Sequence, residues 1–187
     1  MRAQLNMGSL GRATLDREQV AAWYGRTFGP WVGRIVLGGV IGGVWRSRDG
    51  DVRLGPGWLA GFGASRQWLA QDGWKPFLRN SFTLAGSGGG DAGGGSMLAF
   101  DVRAGVDSGW HVGAGFEIFA VARVFGGPVW WWRAGQSALL GTDAWHGQLG
   151  AAAAWSPASA RGWRPGFVAE VIGLGEIGAT LGLSLAF

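Results

Sequence analysis

Ser137, Asp143 and His146 are the residues of this chain whose types and spacing could perform nucleophilic catalysis. A histidine base can activate a serine hydroxyl, and an acidic side chain can orient that histidine. This chemistry would suit an enzyme that transfers or removes an acyl chain. Because such residues also fall together by chance in a glycine-rich sequence, they are catalytic candidates without a defining motif.

The composition argues against several other kinds of site. The chain has no cysteine, and its second histidine, His111, is distant in sequence from His146, so we predict neither a metal site nor a cofactor. The glycine runs at 88–90 and 93–95 are followed by no lysine or helix, which excludes a phosphate loop. The formal charge of +4 comes from arginines spread along the chain, so we expect no nucleic-acid partner.

Strands must position these residues, because apolar residues recur with period two and side chains alternate between two faces of a strand. We predict eight strands, at 31–46, 54–69, 74–85, 97–106, 110–123, 145–155, 163–172 and 176–187. Turn signals at 71–73 and 107–109 predict tight turns, whereas 86–96 and 124–144 are predicted to be long loops.

A helix is predicted before the strands. Thr14 could cap a helix that ends near Arg26, with Val20, Trp23 and Tyr24 along one side. Such an amphipathic helix would lie at a membrane interface or dock on the rim of a barrel. We therefore divide the chain into an N-terminal segment, residues 1–30, and a barrel, residues 31–187.

The last predicted strand carries a family resemblance. Its odd positions from Ile177 to Phe187 are all apolar, and an alternating strand that stops on a C-terminal phenylalanine resembles the closing strand of bacterial outer-membrane β-barrels. Small eight-stranded members of that class include the OmpA membrane domain and OmpX. The resemblance implies a closed, antiparallel, up-and-down transmembrane barrel in the outer membrane with both termini in the periplasm. It also implies contact with outer-membrane lipid or lipopolysaccharide, and recognition of Phe187 by the barrel assembly machinery.

Tryptophan spacing favours this fold. Trp58 and Trp68 are ten residues apart, as are Trp145 and Trp155, and ten residues of a tilted strand rise about 25 Å, the height of a lipid-facing band. We predict an outer girdle of Trp45, Trp58 and Trp145, and a periplasmic girdle of Trp31, Trp68, Trp74, Trp110, Trp155, Trp163 and Phe187. The alternative is a soluble calycin-type barrel, in which the large apolar side chains point inward.

The opposite faces predict a plugged lumen without an open pore. An eight-stranded barrel has room inside for side chains only, so charges there should pair; the residues are Arg34, Arg79, Asp101, Arg103, Glu117, Arg123 and Glu170. His111 is predicted to be a further polar lumen residue. Toward the outer end, inward positions are apolar, including Val40, Phe119, Val121 and Ile172. They could pack on one another or hold an acyl chain, as in the architecturally similar lipid A palmitoyltransferase family, PagP.

Two features favour a role in binding. Trp130, Trp131, Trp132 and Arg133 lie in the predicted outer loop, where they could anchor a partner or meet lipid headgroups. Small outward residues around Ala151 would let another envelope protein or barrel approach closely. We predict a non-enzymatic membrane anchor, or a subunit of an envelope protein complex. The alternative is a lipid A acyltransferase or deacylase that uses Ser137, Asp143 and His146.

Overall fold

The computed structural model describes residues 2–6, 12–48, 50–132, 138–156, 164–174 and 178–186, and these residues form strands joined by turns. Alternating patterns rich in β-branched and aromatic residues favour extended backbone. The strands are β1 (Arg2–Asn6), β2 (Arg12–Phe28), β3 (Trp31–Ser47), β4 (Gly50–Leu69), β5 (Phe77–Asp91), β6 (Ser96–Gly113), β7 (Phe116–Trp132), β8 (Leu139–Trp155), β9 (Arg164–Leu174) and β10 (Gly178–Ala186).

One antiparallel sheet contains all of these strands, and each strand pairs with its neighbours in the chain. β1 also pairs with β8, where Leu5 is opposite Asp143, and β10 lies beside β2. The up-and-down sheet thus curls into a half-barrel with a concave and a convex face. We call the end with the β3–β4 and β5–β6 hairpins the upper rim, and the end with the β2–β3, β4–β5 and β6–β7 hairpins the lower rim. Within the described ranges, no helix is long and apolar enough to span a bilayer.

Curvature gives the concave face its core. Side chains of strands that are not neighbours meet there: Arg17 of β2 hydrogen-bonds to Ser87 of β5, and Trp45 of β3 packs on Trp131 of β7. Two buried clusters result. The upper cluster contains Ala13, Leu15, Trp45, Leu54, Met97, Ala99, Val129 and Trp131. The lower cluster contains Phe77, Phe119, Val121 and Ala152.

A β-bulge in β3 changes the face on which later residues lie. Ile41 has no partner in β2, because Val40 and Gly42 pair with consecutive residues of that strand. One extra residue reverses the alternation of side chains beyond it. Val40 and Trp45, which differ in parity, are therefore both buried on the concave face.

The predicted N-terminal helix is wrong, because residues 14–26 belong to β2. This strand pairs with β3 from Thr14, opposite Arg46, to Phe28, opposite Trp31. Val20 and Phe28 are exposed at even positions, whereas Ala13, Leu15 and Arg17 are buried at odd ones. This alternation has the period of a strand. The helix was predicted because the spacing of a few apolar residues, considered alone, also fits a helix.

The tight turn predicted at 107–109 is also wrong. These residues continue β6, and Asp107 is buried opposite Val121 of β7. The segment predicted as one strand at 110–123 is instead split between β6 and β7. The turn between them contains Ala114, which has a positive φ like both of its glycine neighbours. The turn predicted at 71–73 is present, where Asp72 bridges to Lys75.

Both predicted long loops are mostly strand. β5 continues to Asp91 and β7 to Trp132, so the glycine-rich segment pairs with its neighbours. Its glycines give room to an aromatic ring, since a Cβ on Gly88 would lie 2.9 Å from Nε1 of Trp58. The glycines thus fit a strand whose neighbour carries a large side chain, and they do not indicate a loop here.

Candidate functional site

The convex face carries a broad set of exposed, large apolar side chains. Pairing places them side by side, as with Ile35 opposite Phe62 and Trp110 opposite Ile118. Aliphatic and phenylalanine members include Val20, Ile35, Leu37, Ile41, Phe62, Phe82, Val106, Val112, Ile118, Val124, Leu140, Leu149, Phe167, Val171, Leu174 and Leu181. Along β6, the convex positions from Leu98 to Val112 include no charged residue. Water-soluble monomers rarely expose so much contiguous apolar surface, so this wall requires an apolar cover.

Aromatic side chains concentrate on this wall near the lower rim: Tyr24, Phe28, Trp31, Trp68, Trp74, Trp110, Phe116 and Trp155. Trp74 is the most exposed of the large hydrophobics there, at 82%, and its carbonyl oxygen accepts a hydrogen bond of 2.9 Å from Nε1 of Trp110. Trp155 likewise donates to the carbonyl of Ala114, at 3.2 Å. An indole that is apolar on its faces and hydrogen-bonded at its edge suits a membrane interface.

The structure places the tryptophans of the two predicted girdles differently. Trp31, Trp68, Trp74, Trp110 and Trp155 lie at the lower rim, whereas Trp163 and Phe187 fall outside the described residues. In the predicted outer girdle, Trp45 is wrong: it lies on the concave face beyond the bulge at Ile41, with no exposed surface. Trp58 is exposed but lies in the middle of β4, and the side chain of Trp145 is outside the described part.

Opposite charges meet on the concave face, in its lower half. Arg79 Nε donates to Asp107 Oδ2 at 3.2 Å, and its Nη1 donates to Glu117 Oε2 at 3.4 Å. Glu117 Oε1 also lies 3.2 Å from Nδ1 of His111. The side chains of Arg79, Asp107 and Glu117 are largely buried, and phenylalanine rings of the lower cluster flank the guanidinium. The cluster joins β5, β6 and β7 through opposite charges, and Oδ1 of Asp107 is buried there without a hydrogen-bond partner in the described part of the chain.

The other predicted lumen charges lie on the same face. Arg123 of β7 pairs with Glu170 of β9 across β8, and Arg103 pairs with Asp101 within β6 at 2.7 Å. Arg34 of β3 stands over the ring of Trp23, with Cζ 5.4 Å from the ring centroid. It is also within electrostatic range of Arg79 and Asp107. The structure thus pairs Arg79, Arg103 and Arg123 with carboxylates on the concave face, whereas Arg34 stacks on Trp23.

Sequence reasoning missed charged residues of this face, among them Asp107 and Arg17. Asp107 was predicted in a turn, yet it continues the alternation of Asp101 and Arg103 along β6. Arg17 was predicted in the helix, yet it follows Ala13 and Leu15 at odd positions of β2. In both cases the signal was an alternation that continued through a residue otherwise typical of a turn or a helix.

Apolar side chains fill the upper half of the concave face. The rings of Trp45 and Trp131 have centroids 4.5 Å apart, and Trp131 Nε1 donates to Asp91 Oδ2 at 2.9 Å. A cavity beside them, lined by Arg17, Val40, Leu54 and Met97 among others, has about 10 Å³ of space. That is roughly the room of one water molecule, so this cavity is too small for an acyl chain. Phe119 and Val121, predicted for the upper lumen, instead belong to the lower cluster.

The predicted binding residues Trp130, Trp131 and Trp132 form the end of β7, not a loop, and their side chains alternate. Trp131 is buried, Trp132 is exposed on the convex face, and Trp130 meets Phe100 edge to face, at 5.7 Å between centroids. Arg133 lies outside the described residues. Trp130 and Trp132 are therefore placed to contact lipid or a partner, whereas Trp131 belongs to the core.

Of the three catalytic candidates, the structure describes the side chain of His146 alone. His146 faces the concave side of β8, where its ring lies 5.3 Å from that of Phe125. Asp143 is on the same strand, opposite Gly127, but its side chain is not described, and Ser137 lies outside the described residues. The residues that the structure describes contain no group of three or more histidine, aspartate or glutamate side chains that could hold a metal ion.

The chain matches no protein-family model, no curated protein and no solved structure. The apolar convex wall, the aromatic rim and the paired charges are therefore the basis for assigning a function.

Proposed function

We propose that this chain is a bacterial outer-membrane β-barrel. In this proposal it serves as a non-enzymatic membrane anchor or as a subunit of an envelope protein complex, and paired charges plug its lumen. The observation that carries the proposal is the polarity of the two faces. The convex face exposes large apolar residues, and the concave face contains the largely buried ion pairs. Lipid-facing barrels have this polarity, whereas soluble barrels direct their large apolar residues inward.

Closure of the sheet is a further requirement, because unpaired backbone groups at a sheet edge are costly in lipid. β1 pairs with both β2 and β8, and β10 lies beside β2. These neighbours support closure of the sheet. The aromatic belt at the lower rim would then lie at one membrane interface.

The plugged interior supports an anchoring or assembly role over transport. Arg79, Arg123 and their partners occupy the lower half, and Trp45 and Trp131 fill the upper half. The convex wall offers a surface for a protein neighbour, since Ala120 of β7 is paired with Ala151 of β8 and both are exposed. Side chains this small allow another protein in the bilayer to approach closely.

Refolding into phosphatidylcholine vesicles tests the proposal. We expect the urea-unfolded chain to insert spontaneously, to migrate differently on gels before and after boiling, and to resist protease in its strands. A chain that stays protease-sensitive and soluble outside the vesicles would contradict membrane insertion.

Co-purification from the native membrane tests the subunit role. Replacement of both Trp130 and Trp132 by alanine, with Trp131 kept, should remove a partner without emptying the core. As a second variant, Ala151→Trp should block close approach along the wall. If both variants fold and retain every co-purifying protein, the subunit role is wrong.

The enzyme alternative stays a separate prediction. It requires that His146→Ala abolishes turnover of lipid A acyl chains while the barrel folds. Our proposal predicts equal acyl-chain profiles for the variant and the original protein.

A further inference from the structure

Arg66 lies on the convex face near the lower rim, between two tryptophan side chains. Its Cζ atom is 4.1 Å from the ring centroid of Trp68 and 5.5 Å from that of Trp31. Trp68 is itself held in place, because its Nε1 donates a 2.6 Å hydrogen bond to Oδ1 of Asn80. Pairing explains the grouping: Trp31 is opposite Arg66 on one side and Asn80 is opposite it on the other. Stacked rings fix the guanidinium by cation–π attraction.

The charge of Arg66 has no counter-ion among the described residues. No described carboxylate forms an ion pair with it, and its Nε atom is buried without a hydrogen-bond partner. Arg46, on the convex face at the upper rim, differs, since it pairs with Asp16 and also with Asp51, at 3.7 Å. An arginine held on an apolar wall with unused donors is suited to an external anion.

The surroundings of Arg66 indicate an anion with an apolar tail. Above it on the convex face come Ala64 and then Phe62, which is exposed beside Ile35. At the same rim, Arg26 lies 5.4 Å from the centroid of the Phe28 ring and forms no ion pair with any described residue. A stacked arginine below an apolar wall offers a phosphate site and a surface for acyl chains.

We propose that Arg66 binds the phosphate of an anionic glycerophospholipid in the leaflet at the lower rim. The lipid's acyl chains lie on the wall above Ala64 and Phe62. This inference rests on the proposed insertion into a membrane, and it adds a specific lipid site to it.

Native mass spectrometry of the folded protein in a neutral detergent tests the site. Dioleoyl phosphatidylglycerol and dioleoyl phosphatidylcholine are added separately at equal concentrations, and bound lipid is counted. The variants are Arg66→Gln, the conservative Arg66→Lys, and Arg46→Gln as the matched control. We expect preferential binding of phosphatidylglycerol, with affinity reduced about fivefold in Arg66→Gln. Arg66→Lys should fall between the two, because it keeps the charge and loses the stacked plane, and Arg46→Gln should bind as the original protein does.

Equal binding of both lipids, or unchanged binding by Arg66→Gln, would overturn the site. Displacement of phosphatidylglycerol by an equal concentration of inorganic phosphate would also overturn it, since the acyl chains would then contribute nothing. Insertion into phosphatidylcholine vesicles, measured on the same preparations, separates the two proposals. Normal insertion without lipid preference refutes the site alone, whereas failure to insert refutes both.

Discussion

Tryptophans of this chain occupy two opposite environments. Trp45 and Trp131 are 0% and 1% exposed on the concave face, whereas Trp58 and Trp68 are 49% and 55% exposed on the convex face. All four are tryptophans, and they differ only in the face of the sheet on which the side chain lies. Trp45 and Trp131 are covered within the chain, because their rings pack on each other and Trp131 also hydrogen-bonds to Asp91. The side chains of Trp58 and Trp68 are only partly covered by the chain, which is why we infer an apolar surrounding for the convex face.

The buried tryptophans should dominate stability. Trp131→Ala removes one of the two packed indole rings of the upper cluster and leaves a cavity that neighbouring strands cannot fill. We therefore expect a loss of about 3–5 kcal/mol in the free energy of unfolding. The matched control is Trp132→Ala at the next position, which is exposed and should cost less than about 1 kcal/mol. Urea unfolding in detergent micelles measures both, and equal losses would contradict the assignment of the two faces.

The exposed wall should respond to charge according to depth. Leu37 lies on the convex face within β3, six positions above Trp31 of the aromatic rim. Leu37→Arg should make insertion less favourable by about 2–4 kcal/mol, and Leu69→Arg at the rim by about 0–1 kcal/mol. The folded fraction in vesicles as a function of urea gives both values. An insertion as efficient for Leu37→Arg as for Leu69→Arg would mean that this face does not meet lipid.

The ionic cluster should have a smaller effect because the desolvation of its charges offsets much of their mutual attraction. Arg79→Met leaves Asp107 and Glu117 without their arginine and should cost about 1–3 kcal/mol in unfolding. Adding Asp107→Leu should restore part of that loss, since one uncompensated carboxylate is removed. Lys75→Met is the control, because its pair with Asp72 is exposed, and we expect little change. A loss for Lys75→Met as large as for Arg79→Met would refute a structural role for the concave cluster.

The sequence predicted the antiparallel, up-and-down β architecture, because alternation is a local property that the pleat imposes on each strand. It could not predict that Trp45 lies inside, since the bulge at Ile41 depends on pairing with β2. Asp107 and the glycines around Gly88 were mistaken for turn residues because their strand character depends on neighbours such as Val121 and Trp58. The residues on the charged face were easier to predict, because charged positions that alternate with apolar ones along a strand identify the two faces without knowledge of the neighbouring strands.

Site-directed spin labelling tests the central inference, that the convex face meets lipid. The chain has no cysteine, so Phe82→Cys and Ser81→Cys can each be labelled alone on adjacent residues of β5 that face opposite sides. In vesicles, we predict that the label at residue 82 collides with oxygen, which partitions into the bilayer, and avoids a water-soluble nickel chelate. The label at residue 81 should show low accessibility to both. Strong collision of the residue 82 label with the nickel chelate would show that water covers this wall and would contradict the proposed membrane barrel.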